Sequence, residues 1–347
     1  MGQLESLQML LGYIVSYADG SSMSELQPLA NLHRLSLQSL EKVSDPLDVR
    51  FARLDSKTNL ESLSLWWNMD DYSNDVIPAY AVLESLRPHQ RLKALEIVGY
   101  EGDKLPSWIV GKHLKSLVEI KLISLRSCEL LPHGLLPCLR IAEISGVETM
   151  CSVNDNFCGH MFPRLIELEF IQCPKLRALH MELPSLEKLW MNNKVLYDQK
   201  GALQDVAKTL EHVSISFSEE LASSDCEGLQ DLGKLTKLEI CGCDELTCLP
   251  QGLQRISSIR SLTIDNCRKL EALPDWLENL PSLQIIRLSG CPLLHYIPGW
   301  LQQRPGVIIY VEDCPNLIQD PLPNFSAQSS GEPVGARVNK GKEIVQD

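Results

Sequence analysis

Residues Leu235–Leu246, LTKLEICGCDEL, set their apolar side chains in the order L-x-x-L-x-I-x-x-C-x-x-L. Leu238 and Ile240 alternate with Lys237, Glu239 and Cys241, the period of two that marks a short strand with one face buried and the other open. Leu235 and Leu246 close the turns on either side of that strand. Cys243 is small and soft enough to be buried where the chain bends away from the sheet. A unit this short cannot bury its apolar edge alone and requires copies stacked beside it.

The copies run the length of the chain. The register recurs at Leu4-Leu7-Met9, Leu32-Leu35-Leu37, Leu60-Leu63-Leu65, Leu92-Leu95-Ile97, Leu117-Ile120-Leu122, Leu139-Ala142-Ile144 and Leu165-Leu168-Phe170. It continues at Leu186-Leu189-Met191, Leu210-Val213-Ile215, Ile259-Leu262-Ile264 and Leu283-Ile286-Leu288, and ends at Ile309-Val311 with Gly306 in the first position. The mean period is about 25 residues, which is that of the leucine-rich repeat. The fold class is therefore α/β, a leucine-rich-repeat solenoid or horseshoe. Its parallel sheet lies on the concave face, with short helices, 3-10 turns and loops on the convex face. A solenoid grows in one direction and counts as one domain. Residues 1–320 read as one domain of about 13 repeats, and 321–347, rich in Pro, Gly and polar residues, as a disordered tail.

Composition narrows the function classes. The net charge of −13, with no cluster of Lys and Arg, argues against nucleic acid or an anionic membrane as partner. No stretch reaches the ~18 apolar residues of a membrane span. Met9 to Val15, MLLGYIV, lacks the basic lead-in and cleavage site of a signal peptide and is expected to pack the first repeat. Of the twelve Cys, Cys173, Cys243, Cys267, Cys291 and Cys314 share one repeat position, which makes them reduced, buried spacers and not a disulfide framework. That usage points to an intracellular, reducing compartment: the cytoplasm, or the nucleus as well.

Several segments carry local expectations. The chain begins almost inside a repeat, with no polar cap in sight, so either something precedes residue 1 or the first repeat frays. Leu47, Phe51 and Leu54 share one helical face, with Asp45 and Pro46 as a start signal. Asp70, Asp71 and Asp75 mark an acidic connection, and a second short helix over about Ala79 to Leu86 stops before Pro88. Two spans, Glu148–Phe162 and Asn192–Lys208, break the period as binding-face insertions or as simple length drift. The acidic run at 216–227, SFSEELASSDCE, reads as a solvated loop. Leu249-Pro250, Leu273-Pro274 and Ile297-Pro298 open return segments that are short helices or 3-10 turns, with Trp276 and Trp300 packing on the convex side.

No catalytic constellation is present: no phosphate-binding G-x-x-x-x-G-K-[ST], no G-x-S-x-G elbow, no H-E-x-x-H helix. The register sends Cys241 outward and Cys243 inward, so this C-x-C pair is not a metal site, and His133 and His212 read as solvated or hydrogen-bonding groups. No enzyme activity, cofactor or metal is expected. What remains is surface. The central concave column from the third repeat reads Ser64, Glu96, Lys121, Glu143, Glu169, Trp190, Ser214, Glu239, Thr263, Arg287, Tyr310, and the next column outward carries Trp66, Val98, Ile123, Ile171 and Asn192. Large aromatic and Arg side chains on a rigid sheet dominate protein interfaces. Trp66, Trp190, Arg287 and Tyr310 are the candidate partner-binding residues.

MGQLESLQML, ELQPLANLHRLSLQSLEKVSD, TNLESLSLWW and VLESLRPHQRLKALEIVGYEGDKLPSW resemble the opening repeats of plant coiled-coil, nucleotide-binding, leucine-rich-repeat disease resistance proteins. So do the later L-P-x-x-L returns and the C-P-x-L steps at Cys173-Pro174, Cys291-Pro292 and Cys314-Pro315. The resemblance covers roughly 1–320, and Trp67 matches a Trp often seen at its place in that family. It implies a sensor of a pathogen effector, or of the host protein that an effector modifies. It also implies a restraint on a nucleotide-binding switch. This chain has no phosphate loop, switch domain or coiled coil, so those partners would act in cis or in trans. The rival reading is a leucine-rich adaptor, such as the substrate-binding part of a ubiquitin ligase, which calls for an F-box helix upstream.

Overall fold

The computed structural model of the chain describes residues 4–16, 22–68, 78–125, 127–128, 135–148, 162–176, 179 and 183–317. The tail at 321–347, Asp70, Asp71, Asp75, His133 and nearly all of Glu148–Phe162 lie outside them. Each repeat supplies one strand. These are β1 (Met9–Ile14), β2 (Arg34–Gln38), β3 (Ser62–Trp66), β4 (Ala94–Val98), β5 (Glu119–Ile123), β6 (Ile141–Ser145) and β7 (Glu167–Ile171). They are followed by β8 (Lys188–Met191), β9 (His212–Ser216), β10 (Lys237–Cys241), β11 (Ser261–Asp265), β12 (Ile285–Ser289) and β13 (Ile308–Glu312). All thirteen form one sheet in chain order. Neighbours pair in parallel with the register the repeat demands, as in Leu238↔Leu262 and Ile240↔Ile264. The alternate side chains point inward, so Leu235, Leu238, Ile240 and Cys243 are all fully buried.

The first repeat departs from the expected register. Leu10 pairs with Leu35 and Tyr13 with Leu37, while Met9 pairs with Arg34 and is 56% exposed. A bulge between Leu11 and Tyr13, at a Gly12 with φ of +99°, takes up one extra residue. It carries the larger Tyr13 into the core, where its hydroxyl donates to the Ser22 carbonyl at 3.0 Å. A pattern count that allows no bulge lands on Leu7 and Met9, three residues before Leu10 and four before Tyr13.

The residue just past the strand turns left-handed in most repeats: Ser39, Ser124, Gln172, Phe217, Asn266 and Asp313, with Gly99, Gly146, Gly242 and Gly290. The turn aims its N–H at the next repeat, as in Gly242 N to Asp265 O at 2.8 Å and Phe217 N to Cys241 O at 2.8 Å. The cysteine ladder then closes each bend. The Cys267 thiol donates to Ile240 O at 3.8 Å and to Asp265 O at 3.6 Å, and Cys173, Cys243, Cys267 and Cys291 are fully buried. Cys314, in the last repeat, is half-buried. The cysteines of the described residues are free.

On the convex side, the Asp45 carboxylate accepts from Leu47 N and Pro46 opens α1 (Pro46–Arg50). The expected face is not the one that packs: Leu47 and Phe51 are exposed, and Val49, Ala52 and Leu54 are buried. Arg53 at φ +47° ends the helical path, so Leu54 starts a separate 3-10 turn instead of extending the face of Leu47. Further helices are α2 (Ala79–Ser85), α3 (Ser107–Val110), α4 (Lys194–Asp198) and α5 (Gly299–Gln303). The second irregular span is thus a folded return carrying α4. The Leu-Pro segments form 3-10 turns at Gln251–Arg255 and Asp275–Asn279 and α5 at Gly299–Gln303. Trp276 and Trp300 lie partly buried against the core. The 216–227 run is only in part the solvated loop expected: Glu219, Glu220, Asp225 and Glu227 are exposed, while Ser216, Ser218 and Ser224 are buried. Leu221 and Cys226 are fully buried, and Tyr197 OH and Ser218 Oγ share a 2.6 Å hydrogen bond. Asp198 Oδ1 accepts from Ser224 Oγ at 2.8 Å and from Asp225 N at 2.9 Å. The Ser218 and Ser224 hydroxyls find partners in the neighbouring repeat, which allows those two positions to be buried.

Adjacent returns come close enough to forbid a side chain at Gly252, where an added Cβ would run into the Asp225 carbonyl. Gly252→Ala is therefore expected to lower the free energy of unfolding by about 3 kcal/mol. A urea titration followed by circular dichroism checks this.

Candidate protein-recognition surface

The concave columns follow from strand register. Ser64, Glu96, Lys121, Glu143, Glu169, Trp190, Ser214, Glu239, Thr263, Arg287 and Tyr310 face one another in sequence across β3 to β13. The column is more closed than a row of free side chains. Glu143, Ser214 and Thr263 are buried, and Lys121 Nζ lies 2.9 Å from Glu143 Oε2. In the outward column Asn192 is drawn into the backbone network, its Oδ1 accepting from Gln172 N at 2.9 Å.

The four candidate residues occupy three places. Trp66, on β3, is 39% exposed, while its neighbour Trp67 packs edge-on against Tyr100 with ring centroids 5.4 Å apart. Trp190 is five strands away on β8, roughly 24 Å at the spacing of a sheet. It meets the His212 ring edge-on at 5.5 Å. Arg287 and Tyr310, on β12 and β13, engage each other: the guanidinium lies over the phenol ring at 5.1 Å, and Arg287 Nη1 donates to Ser261 Oγ at 3.3 Å.

Around Trp190 the sheet carries a cleft of about 360 Å³, lined by Glu187, Lys188, Trp190, Glu211, His212, Thr236, Lys237 and Glu239. Sequence columns alone did not reveal it, because Glu187, Glu211 and Thr236 lie just before the strands. Lys188 Nζ sits 2.8 Å from Glu167 Oε1, and Lys237 Nζ 2.6 Å from Glu239 Oε1. His212 Nε2 lies 3.1 Å from Glu239 Oε2 but off the line of a good hydrogen bond. Burial alone would raise the Glu239 carboxyl, yet the groups of His212 and Lys237 outweigh it and hold it down from 4.5 to about 2.

That depression gives a signed expectation. Glu239 binds protons less readily folded than unfolded, so its stabilisation is complete above about pH 4.5 and is lost as pH falls toward 2. Between pH 5 and 2 the wild type should lose about 2–3 kcal/mol more than Glu239→Gln does. Chemical denaturation of both proteins across that range measures the difference.

Among the described residues no helix is long and apolar enough to cross a membrane, and no group of three or more His, Cys, Asp or Glu side chains is placed to hold a metal ion. A continuous parallel sheet with ordered, mixed side chains on its open face defines the class: a leucine-rich-repeat scaffold.

Residues 23–147 match the family model described as R13L1/DRL21 leucine-rich repeats. Over 264 residues the chain is 32% identical to the putative disease resistance protein RGA1 of Solanum bulbocastanum, covering 72% of this chain and 25% of that protein. It is 30% identical to disease resistance protein RGA2 of the same plant, over 72% of this chain and 27% of the relative. To the putative disease resistance RPP13-like protein 1 of Arabidopsis thaliana it is 28% identical, over 67% of this chain and 27% of the relative. The chain is similar to the leucine-rich-repeat part of these plant disease resistance proteins, and it spans about a quarter of their length. Among solved structures it is similar to the leucine-rich repeat domain of the type III effector XopL, at 18% identity over 86% of this chain and 92% of that one, with a TM-score of 0.43.

Proposed function

We propose that this chain is the recognition portion of a plant immune receptor. It acts by contact and shape, without catalysis, in the cytoplasm or the nucleus. Its concave face meets a pathogen effector or a guarded host protein, and its repeats restrain a nucleotide-binding switch joined to a coiled coil, in cis or in trans. The observation that carries the reading is the 32% identity to a disease resistance protein across 72% of the chain, laid on a sheet whose open face is rigid and polar-aromatic. Recognition would work by population shift: a ligand releases the switch only to the extent that it binds the released state better than the restrained one.

The test is co-immunoprecipitation in leaf tissue. The tagged chain is expressed with a panel of pathogen-secreted proteins, with a nucleotide-binding module of a matched relative, and with a ubiquitin-ligase core subunit. Association with a secreted protein or with the nucleotide-binding module supports the proposal. Association with the ligase subunit alone would overturn it in favour of an adaptor.

A further inference from the structure

The cleft beside Trp190 has a charge balance that its lysines do not set. Both are engaged, Lys188 with Glu167 at 2.8 Å and Lys237 with Glu239 at 2.6 Å. The carboxylates of Glu187 and Glu211, on the exposed rim, have no ion pair among the described residues. They come from the same position of successive repeats and are held in step by the backbone, Glu211 N and His212 N both donating to Glu187 O at 2.9 Å. Neighbouring repeats stand about 4.8 Å apart along the sheet, so the two carboxylates flank one opening. Trp190 lines the same opening, braced by the ring of His212. An aromatic wall, two carboxylates without an ion pair among the described residues and a half-open cleft together suit a cation that is flat, apolar on its faces and rich in donors at its edge.

We propose that this cleft receives a single arginine side chain from the protein partner. The guanidinium stacks on the Trp190 indole while its N–H groups donate to Glu187 and Glu211. A lysine ammonium satisfies the charge but not the planar fork, and so binds more weakly. An anionic side chain meets the rim carboxylates and finds both lysines occupied. The proposal rests on the recognition reading above and names the chemistry of one contact within it.

The experiment uses the whole chain labelled with ¹⁵N. The indole Nε1–H resonance of Trp190 is assigned by its loss in Trp190→Phe. The probes are three capped tripeptides, Gly-Arg-Gly, Gly-citrulline-Gly and Gly-Glu-Gly, titrated into the roughly tens of millimolar range suited to a single weak contact. The expected result is a saturable shift of the Trp190 resonance with the arginine peptide and little with its neutral citrulline isostere. Glu187→Gln with Glu211→Gln, two exposed positions that leave the core untouched, should weaken binding about fivefold or more. Equal binding of citrulline, tighter binding of the glutamate peptide, no shift with arginine, or indifference to the two Gln changes would each overturn the arginine site. A secreted protein that binds the chain whatever is done to Trp190, Glu187 and Glu211 would leave the recognition reading standing and remove only this cleft from it.

Discussion

Lys57→Ala is expected to lower the unfolding free energy by about 3–5 kcal/mol. Lys57 is 1% exposed, and its ammonium donates to the backbone carbonyls of Leu26 at 2.6 Å and Leu29 at 2.9 Å. It thereby ties the return of the second repeat to that of the first. Alanine removes a long buried stem and both donors together. Leu26 O keeps the Leu29 N–H at 3.2 Å, so the cost falls mainly on the Leu29 carbonyl and on the space vacated. Lys57→Met keeps the stem and isolates the polar part, at about 1–2 kcal/mol near neutral pH. Burial, and then the charge of Arg53, push the ammonium down from 10.5 to about 8. Between those values the unfolded chain binds more protons than the folded one, so wild-type stability gains from Lys57 as pH rises. The penalty of Lys57→Met should therefore grow by up to about 1.4 kcal/mol per unit between pH 8 and 10. Urea denaturation of both proteins over that range is the check, and a constant penalty would show that Lys57 does not titrate there.

Asn193→Ala is expected to cost about 2–4 kcal/mol. Asn193 is 6% exposed and uses three hydrogen bonds. Its Nδ2 donates to Cys173 O at 2.7 Å and Leu176 O at 2.9 Å, and its Oδ1 accepts from Val195 N at 2.8 Å, capping α4. Four other repeats fill this corner with a buried thiol, that of Cys173, Cys243, Cys267 or Cys291. Here an amide does so and binds two carbonyls of the preceding repeat. Asn193→Cys should recover packing but not those bonds, and so fall between the wild type and alanine. Thermal unfolding of the three proteins tests the order. An alanine variant within about 0.5 kcal/mol of wild type would contradict the clamp.

Both residues show where sequence reading ran out. The strands, their order and the buried Leu and Cys columns were legible, because a period of about 25 residues repeated so often leaves one self-consistent way to stack the units. Asn193 was hidden because its repeat is one residue short of the pattern: Leu186, Leu189 and Met191 put Lys194, not Asn193, at the cysteine position. Lys57 carries no signal at all, since a lysine in a polar connection reads as solvated until the neighbouring return folds over it. The first repeat slipped because Leu4, Leu7 and Met9 fit the unbroken spacing, whereas the positions that pair with Leu35 and Leu37, Leu10 and Tyr13, stand three apart across the bulge at Gly12. The 216–227 segment misled only in part: its acids are exposed, as they look, whereas Ser218 and Ser224 are paired inside the fold.

On the concave face, the column of Trp190, Arg287 and Tyr310 was readable from register, but its pairings were not. Arg287 stacks on Tyr310 and Trp190 abuts His212, so these two aromatics are each braced by a neighbour from an adjacent repeat. Such bracing lowers the entropy lost when a partner docks. The four candidate residues thus stand at three places along one face, Arg287 and Tyr310 together, and do not form one patch.

The central claim is that partners bind the concave face. The direct measurement is the dissociation constant, by biolayer interferometry, of a pathogen-secreted protein that associates with this chain. It is compared for the wild type, for Trp66, Trp190, Arg287 and Tyr310 all changed to Ala, and for a convex-side variant with the exposed Leu47 and Phe51 of α1 changed to Ser. The account expects the concave variant to weaken binding by about thirtyfold or more and the convex variant to leave it unchanged, with both retaining the wild-type circular dichroism. Loss of binding in the convex variant with full binding in the concave one would contradict it.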